Sequence, residues 1–389
     1  MDENISQPQD APPVQPSSTL PPPPGLPPII PRAAAAPQPP RKSGRGWKIF
    51  AFILLGLLVI SLLANLGSIT SRFVGAGHRV ESMAGPRISE VLAEDNDSDH
   101  KVAVVRIEGI ITSQATEGDY SMGDMVKAQL EAAAKDRRVK AVVLKVDSPG
   151  GEVLASDEIY RLVADFQKKT RKPVIASMGS LAASGGYYVS APCRWIVANE
   201  LTITGSIGVI IGGWNYRGLM NKVGLRPEIY KSGRFKDMLS GSREASEIPA
   251  EERQMVQGLV DEVYTKFKDV VSSGREAAFQ SNQKGSQKSK RLAEDWIEHA
   301  DGRVFTGVEA LRLGFVDELG NFEDALRRAE SLAGIETADV IEYQQHFDFS
   351  DIFRMFGKAE APVVKVDLGV ESPKLKAGCP YFLFTPSGN

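Results

Sequence analysis

The sequence predicts an α/β protein built of βαβ units and preceded by a single transmembrane helix. Two observations carry this. Short β-rich apolar runs alternate with amphipathic helical stretches after residue 100, and one uncharged apolar run lies near the N-terminus. Composition sets the outer bounds: 389 residues, 42% hydrophobic and 24% charged, leave room for one large or two modest cores. A net charge of −3, from 46 basic against 49 acidic residues, gives no electrostatic case for nucleic acid. Two cysteines, Cys193 and Cys379, exclude a disulfide scaffold and a cysteine-built zinc site, and His78, His100, His299 and His346 show no ligand spacing. No metal or cofactor is expected.

Residues 1–48 are read as a disordered Pro-rich head. Of the 24 prolines, 14 fall in the first 40 residues, where little apolar surface offsets the cost of ordering. A Pro-rich ligand for a cytoplasmic partner is the alternative use. Residues 49–71 carry no charge, and the apolar stretch Ile49 to Leu66 spans about 27 Å as a helix, close to a hydrocarbon core of roughly 30 Å. A polar leader this long does not suit a cleaved signal, so an uncleaved signal anchor is expected. Arg32, Arg41, Lys42, Arg45 and Lys48 precede the run, whereas Glu94, Asp95, Asp97 and Asp99 follow it. Positive charge stays inside, which makes the head cytoplasmic and the rest extracytoplasmic, on a single-pass protein of a bacterial-type cytoplasmic membrane.

Residues 72–100 read as a linker. Beyond it come a strand at 102–111, a helix at 122–135, a strand at 139–146, a helix at 155–169 and a strand at 173–178. That alternation implies parallel pairing with helices covering the sheet. Further apolar runs at 195–197, 207–211 and 228–230 are candidate strands. Over 249–273, Met255, Leu259, Val260, Val263, Phe267 and Val270 fall on one helical stripe, read as core packing. No internal repeat is visible, and residues 347–389 show no clear period.

Two turns invite chemistry. Asp147-Ser148-Pro149-Gly150-Gly151 follows a strand and would expose consecutive backbone N–H groups to an oxyanion or phosphate; an ordinary strand-to-helix turn reads the same way. Ser184, flanked by Ala182, Ala183, Gly185 and Gly186 directly after another strand, has the unhindered setting of a nucleophile elbow, although small residues equally permit close helix packing. A serine needs a base. No histidine falls between His100 and His299, which leaves lysine, whose amine must be neutral to accept a proton. Lys231 and Lys236 lie together behind the run at 228–230, and Lys236, between Phe235 and Met238-Leu239, has the more apolar neighbours.

Taken together, DSPGG, SLAASGGYY, TGSIGV, YKSGRFKDM and DGRVFTGVEALRLGFVDELG, in this order behind one anchor, closely resemble the signal peptide peptidase A (SppA) family of serine–lysine proteases in its short, single-copy form. The resemblance covers residues 102–345 and sets a peptidase domain at 101–346. It implies a spiral of βαβ units like that of crotonase and Clp protease. It further implies Ser184 as nucleophile, Lys236 as general base 52 residues on, and Ser206 as the serine that orients the lysine amine. Backbone N–H groups of Gly150 or Gly151 and of Gly185 would form the oxyanion hole. Short members of the family assemble as a dome-shaped ring, typically of eight chains, with serine and lysine from neighbouring subunits, and their C-terminal segment can bind in the active-site groove, here Pro380 to Phe384. Substrates would be cleaved signal peptides and unfolded polypeptides at the extracytoplasmic membrane face. Two rivals stand beside this: a tethered crotonase-fold acyl-CoA enzyme, which the outward topology disfavours, and a non-catalytic membrane scaffold, which intact Ser184, Ser206 and Lys236 disfavour. In an oxidising compartment Cys193 and Cys379 could pair, which sequence separation does not decide.

Overall fold

The computed structural model describes residues 50–58, 85–115, 120–285, 287–345 and 380–383. It divides into two units, 1–81 and 82–389. In the first, residues 50–58 are helical (α1). Among the described residues no helix is long and apolar enough to cross a membrane, and the rest of the expected span lies outside them.

In the second unit the elements run β1 (Ile88–Glu94), β2 (Lys101–Glu108), α2 (Met122–Lys135), β3 (Val139–Ser148), β4 (Gly150–Glu152), α3 (Val153–Thr170), β5 (Val174–Ala183), α4 (Gly185–Ser190), β6 (Trp195–Ala198) and β7 (Ile203–Gly205). They continue with α5 (Arg217–Lys222), α6 (Ala250–Lys284), α7 (Trp296–His299), β8 (Val304–Thr306), α8 (Gly307–Leu313), β9 (Glu318–Leu319), α9 (Phe322–Ala333), β10 (Asp339–Gln345) and β11 (Tyr381–Leu383). The main sheet has the order β1-β10-β2-β3-β5-β6-β9 and is parallel from β10 to β9, with β1 antiparallel at one edge.

The apolar strands are buried on both faces, as a helix-covered parallel sheet requires. Within β2, Ala103, Val105 and Ile107 enter the larger core, whereas Val102 and Val104 enter a smaller one capped by Ala325, Leu326 and Ala329 of α9. In β3, Val142, Leu144 and Val146 alternate with Ala141 and Val143 in the same sense. Capping boxes start two of the covering helices, Ser121 with Asp124 at α2 and Asn321 with Asp324 at α9.

Several expectations are corrected. The stretch read as linker contains β1, which pairs with β10, so the sheet starts before residue 101. Residues 228–230 form no strand: Ile229 and Tyr230 are exposed, and among the described residues no strand adjoins them to complete their backbone hydrogen bonds. The run at 207–211 contributes only an isolated bridge at Ile210. The stripe on α6 is core only in its second half, at Phe267 and Val270; Met255 and Leu259 project beyond the sheet into solvent. Cys193 is buried with a free thiol that burial pushes up to about 12, and Cys379 lies outside the described residues.

α6 is fastened to the sheet by a fully buried ion pair between Arg275 and Asp317. Arg275 also donates to Cys193 O (3.2 Å), and the Asp317 carboxylate accepts from Ile196 N (2.9 Å) and Lys290 N (3.3 Å). Removing one partner leaves an uncompensated interior charge. Asp317→Ala is expected to lower unfolding free energy by about 3–5 kcal/mol, read from denaturant midpoints, and the double change Arg275→Met with Asp317→Leu to recover most of it.

Candidate active site

Ser184 stands between β5 and α4 with φ 52° and ψ −114°, a conformation that side-chain-bearing residues rarely adopt. Its N–H donates to Gly205 O (2.8 Å) and its carbonyl accepts from Tyr188 N (2.8 Å). The residue is buried. The glycines after it are sterically obligatory: a Cβ on Gly185 would lie 2.7 Å from Ser156 Oγ, and one on Gly186 2.7 Å from Ser148 O. The same small residues therefore serve close packing around Ser184.

Ser206 is brought alongside by strand register. β5 and β7 pair in parallel with Ala183 opposite Gly205, so Ser184 and Ser206 are the next residues on two adjacent chains. Ser206 also has positive φ (50°), and its N–H donates to Arg303 O (2.7 Å).

The DSPGG turn supplies the facing wall. Ser148 Oγ donates to Gly109 O (2.6 Å) and accepts from Gly150 N (3.1 Å), while Asp147 Oδ1 accepts from Leu181 N (3.0 Å), tying this turn to β5. β4 turns Gly150 O and Glu152 N toward Ile111 (2.9 and 2.8 Å). By strand alternation the Gly151 N–H and C=O then face the opposite edge. The Gly151 nitrogen lies 3.1 Å from where a Gly185 Cβ would stand, so the two amides are neighbours, and of the pair Gly150 and Gly151 it is Gly151 whose N–H points inward. Gly150 has φ 99° and serves the turn.

That edge is occupied. β11 pairs antiparallel with β4, and Tyr381 exchanges backbone hydrogen bonds with Ile210 on its other side (3.1 and 3.0 Å). Of the segment 380–384, the described residues 380–383 thus lie along β4.

Lys236 is not brought to this cluster. It is exposed, in a segment of turns, and its ammonium makes no hydrogen bond or ion pair among the described residues. Lys231 is engaged, at 2.6 Å from Asp237 Oδ1 and 3.2 Å from Arg234 O, and this hydrogen bond holds the Asp237 carboxyl below its ordinary range. Between the two lysines, only Lys236 has a free amine. Within one chain Ser184, Ser206, Gly150, Gly151 and Gly185 converge, and the lysine does not.

Sequence reasoning missed three contributors. Asp147 clasps β5. Ser156 lies against Gly185 with its hydroxyl fully buried and unpartnered among the described residues. Tyr188, whose hydroxyl donates to Asp157 Oδ1 (2.8 Å), forms an aromatic wall with Phe267. The repeated tyrosine after the elbow was the available signal for the last.

Residues 166–336 match the model of peptidase family S49. A relative in Methanocaldococcus jannaschii named as a protease is 34% identical over 294 residues, 75% of this chain and 86% of that protein. One in Synechocystis sp., also named as a protease, is 39% identical over 238 residues, 61% and 76% of the two chains. A third, in Enterococcus faecium and named for signal peptide peptidase SppA, is 37% identical over 261 residues, 66% and 71%. The chain belongs to the S49, SppA-type family of serine proteases. In this chain the family's region of match includes the Ser184 elbow, Ser206 and Lys236, and the DSPGG wall lies just ahead of it.

The glycine geometry generates a test. In Gly150→Ala the new methyl would stand 2.0 Å from Phe382 O and 2.6 Å from Gly185 N. Such a variant is expected to lose about a hundredfold or more in kcat on a peptide substrate, measured beside a thermal melt that shows the fold retained.

Proposed function

We propose that this chain is a membrane-anchored serine endopeptidase using a Ser184–Lys236 dyad to cleave residual signal peptides and other hydrophobic or unfolded peptides at the extracytoplasmic membrane face. The observation that carries it is the buried, positive-φ Ser184 beside the Gly151 and Gly185 amides, with an extended peptide strand already paired along β4. Ser184 Oγ attacks the peptide carbonyl as Lys236 takes its proton. The amide N–H groups of Gly151 and Gly185 hold the oxyanion, and the proton passes to the leaving amine. Water then hydrolyses the ester by the same route. Ser206 orients the lysine amine.

Lys236 comes to Ser184 from a neighbouring copy in a homo-oligomeric ring, and the βαβ units form the spiral of the Clp type. Supporting this, the segment bearing Lys236 exposes Trp214, Leu219, Leu225 and Tyr230, apolar surface that a second chain would cover. The uncharged run at 49–71 is the anchor, and the acidic flank after it supports an outward catalytic domain.

The test mixes two inactive proteins. Ser184→Ala and Lys236→Ala chains are each expected to lose at least a thousandfold in kcat/KM on a hydrophobic peptide, and after co-assembly to regain a measurable fraction of parental activity. Absence of any Ser184-dependent cleavage by the parent overturns the peptidase reading. Full single-variant loss without rescue overturns the shared site.

A further inference from the structure

Lys236 is the exception in its own segment. From 231 to 243 the charged residues are Lys231, Arg234, Lys236, Asp237 and Arg243, and among the described residues all but Lys236 are ion-paired. Lys231 Nζ donates to Asp237 Oδ1 (2.6 Å), the same oxygen that Arg243 Nη1 approaches at 3.7 Å. Arg243 reaches on to Glu252 Oε1 of α6, which also accepts from Leu239 N (3.4 Å). On the other side Arg234 Nη1 meets Glu251 Oε2 of α6 at 2.8 Å. Glu247, just before α6, faces Arg243 as well.

The turn is thus fastened to α6 both before and after Lys236, and the fastening is interior. The side chains of Asp237, Arg243 and Glu252 are 10%, 12% and 3% exposed. Ion pairs at an open surface contribute little, so a network drawn inward beneath one unpaired amine calls for another reason. A base must be neutral to accept a proton. Asp237 follows Lys236 directly in the chain, and a carboxylate free to turn toward that amine would favour its charged form. The Lys231 hydrogen bond holds the Asp237 carboxyl below the ordinary carboxylate range, so this neighbour is an anion at neutral pH and needs a partner.

We propose that Lys231 is a positioning residue for the base: by engaging the Asp237 carboxylate it holds the adjacent anion off the Lys236 amine, and Arg243 and Glu252 lock that arrangement onto α6. This rests on Lys236 as the base. Opposite signs follow for two substitutions. Lys231→Met leaves Asp237 undercompensated, the amine keeps its proton to higher pH, and the rising limb of kcat/KM against pH moves up. Asp237→Asn leaves Lys231 and Arg243 unopposed, which favours the neutral amine and moves the limb down. A merely structural role would lower the rate in both and move the limb in neither.

The full-length protein is assayed across pH on a hydrophobic peptide blocked at both ends. The limb is expected to shift by about half a pH unit or more, upward in Lys231→Met and downward in Asp237→Asn. Lys231→Arg is expected to keep the parental limb, and the double change Lys231→Met with Asp237→Asn to bring it back toward the parental position. Unmoved limbs, or limbs that move the same way in both single variants, overturn the proposal. Parental activity in Lys236→Ala, or no Ser184-dependent cleavage by the parent, removes the base and the proposal with it, whereas an inactive Lys236→Ala with unmoved limbs overturns the role of Lys231 alone. Where a variant turns over too slowly, acetylation of Lys236 by acetic anhydride is followed against pH by mass spectrometry, with the same opposite shifts expected and coincident curves overturning the proposal. Where Lys231→Met fails to fold in a thermal melt, Asp237→Asn decides: a limb moved down supports the proposal, and any other result overturns it.

Discussion

The backbone of Ser184 is the constraint around which the site is arranged. Holding a serine at φ 52° and ψ −114° costs on the order of 1–3 kcal/mol, and such a residue persists only where its surroundings leave no alternative. Here they do not. The Ser184 N–H is committed to Gly205 and its carbonyl to Tyr188, while Gly185 and Gly186 press so closely on Ser156 and Ser148 that the turn cannot relax outward. The parallel register of β5 and β7 fixes Gly205, and with it Ser206, so one hydrogen bond both strains the elbow and seats the second serine. The scaffold behind this is a sheet buried on both faces, which is stiff enough to hold the strained residue.

The same rigidity explains why the lysine lies elsewhere. A lysine enclosed beside Ser184 throughout folding would bear its desolvation in every state of the monomer. Lys236 instead sits in a segment of turns whose apolar side chains face solvent, as does the first half of α6 with Met255 and Leu259. A chain built this way holds Ser184 and the Gly151 and Gly185 amides in one buried cluster and leaves Lys236 at the surface.

Much of the sheet was legible because its strands are long apolar runs and its helices carry amphipathic stripes: the helix at 122–135 agrees with α2 at both ends. The three-residue strands β4, β7, β8 and β11 were not, since a run that short has no period to detect. They are also the ones that build or edge the site. Their existence depends on partners distant in sequence, such as Ile111 for β4 and Leu181 to Ala183 for β7. Residues 228–230 show the reverse error, apolar character without a partner strand. Ser184 and the paired glycines stood out by local composition. Ser206 gained a role only from resemblance, because nothing in TGS distinguishes it from an ordinary turn residue, whereas Lys236 was set apart from Lys231 by its apolar neighbours and gained the role of base from resemblance. That Gly151 rather than Gly150 points inward needed the pairing of Ile111, which no local pattern contains.

Recognition along β4 follows from how little side chain it carries. Two of its three residues are glycines, so an incoming strand meets backbone and can approach closely enough for main-chain hydrogen bonds at each register position. Those bonds are indifferent to sequence. Discrimination then falls to whatever the alternate side chains touch, and both Tyr381 and Phe382 are buried. At Phe382 the enclosure is made by a residue of α4, four positions after Ser184, and by a residue of α6, whose place is set through the buried Arg275–Asp317 pair. The pocket's depth is thus coupled to how α6 is anchored on the sheet, so a change at the ion pair reaches the site by shifting Phe267 rather than by touching Ser184.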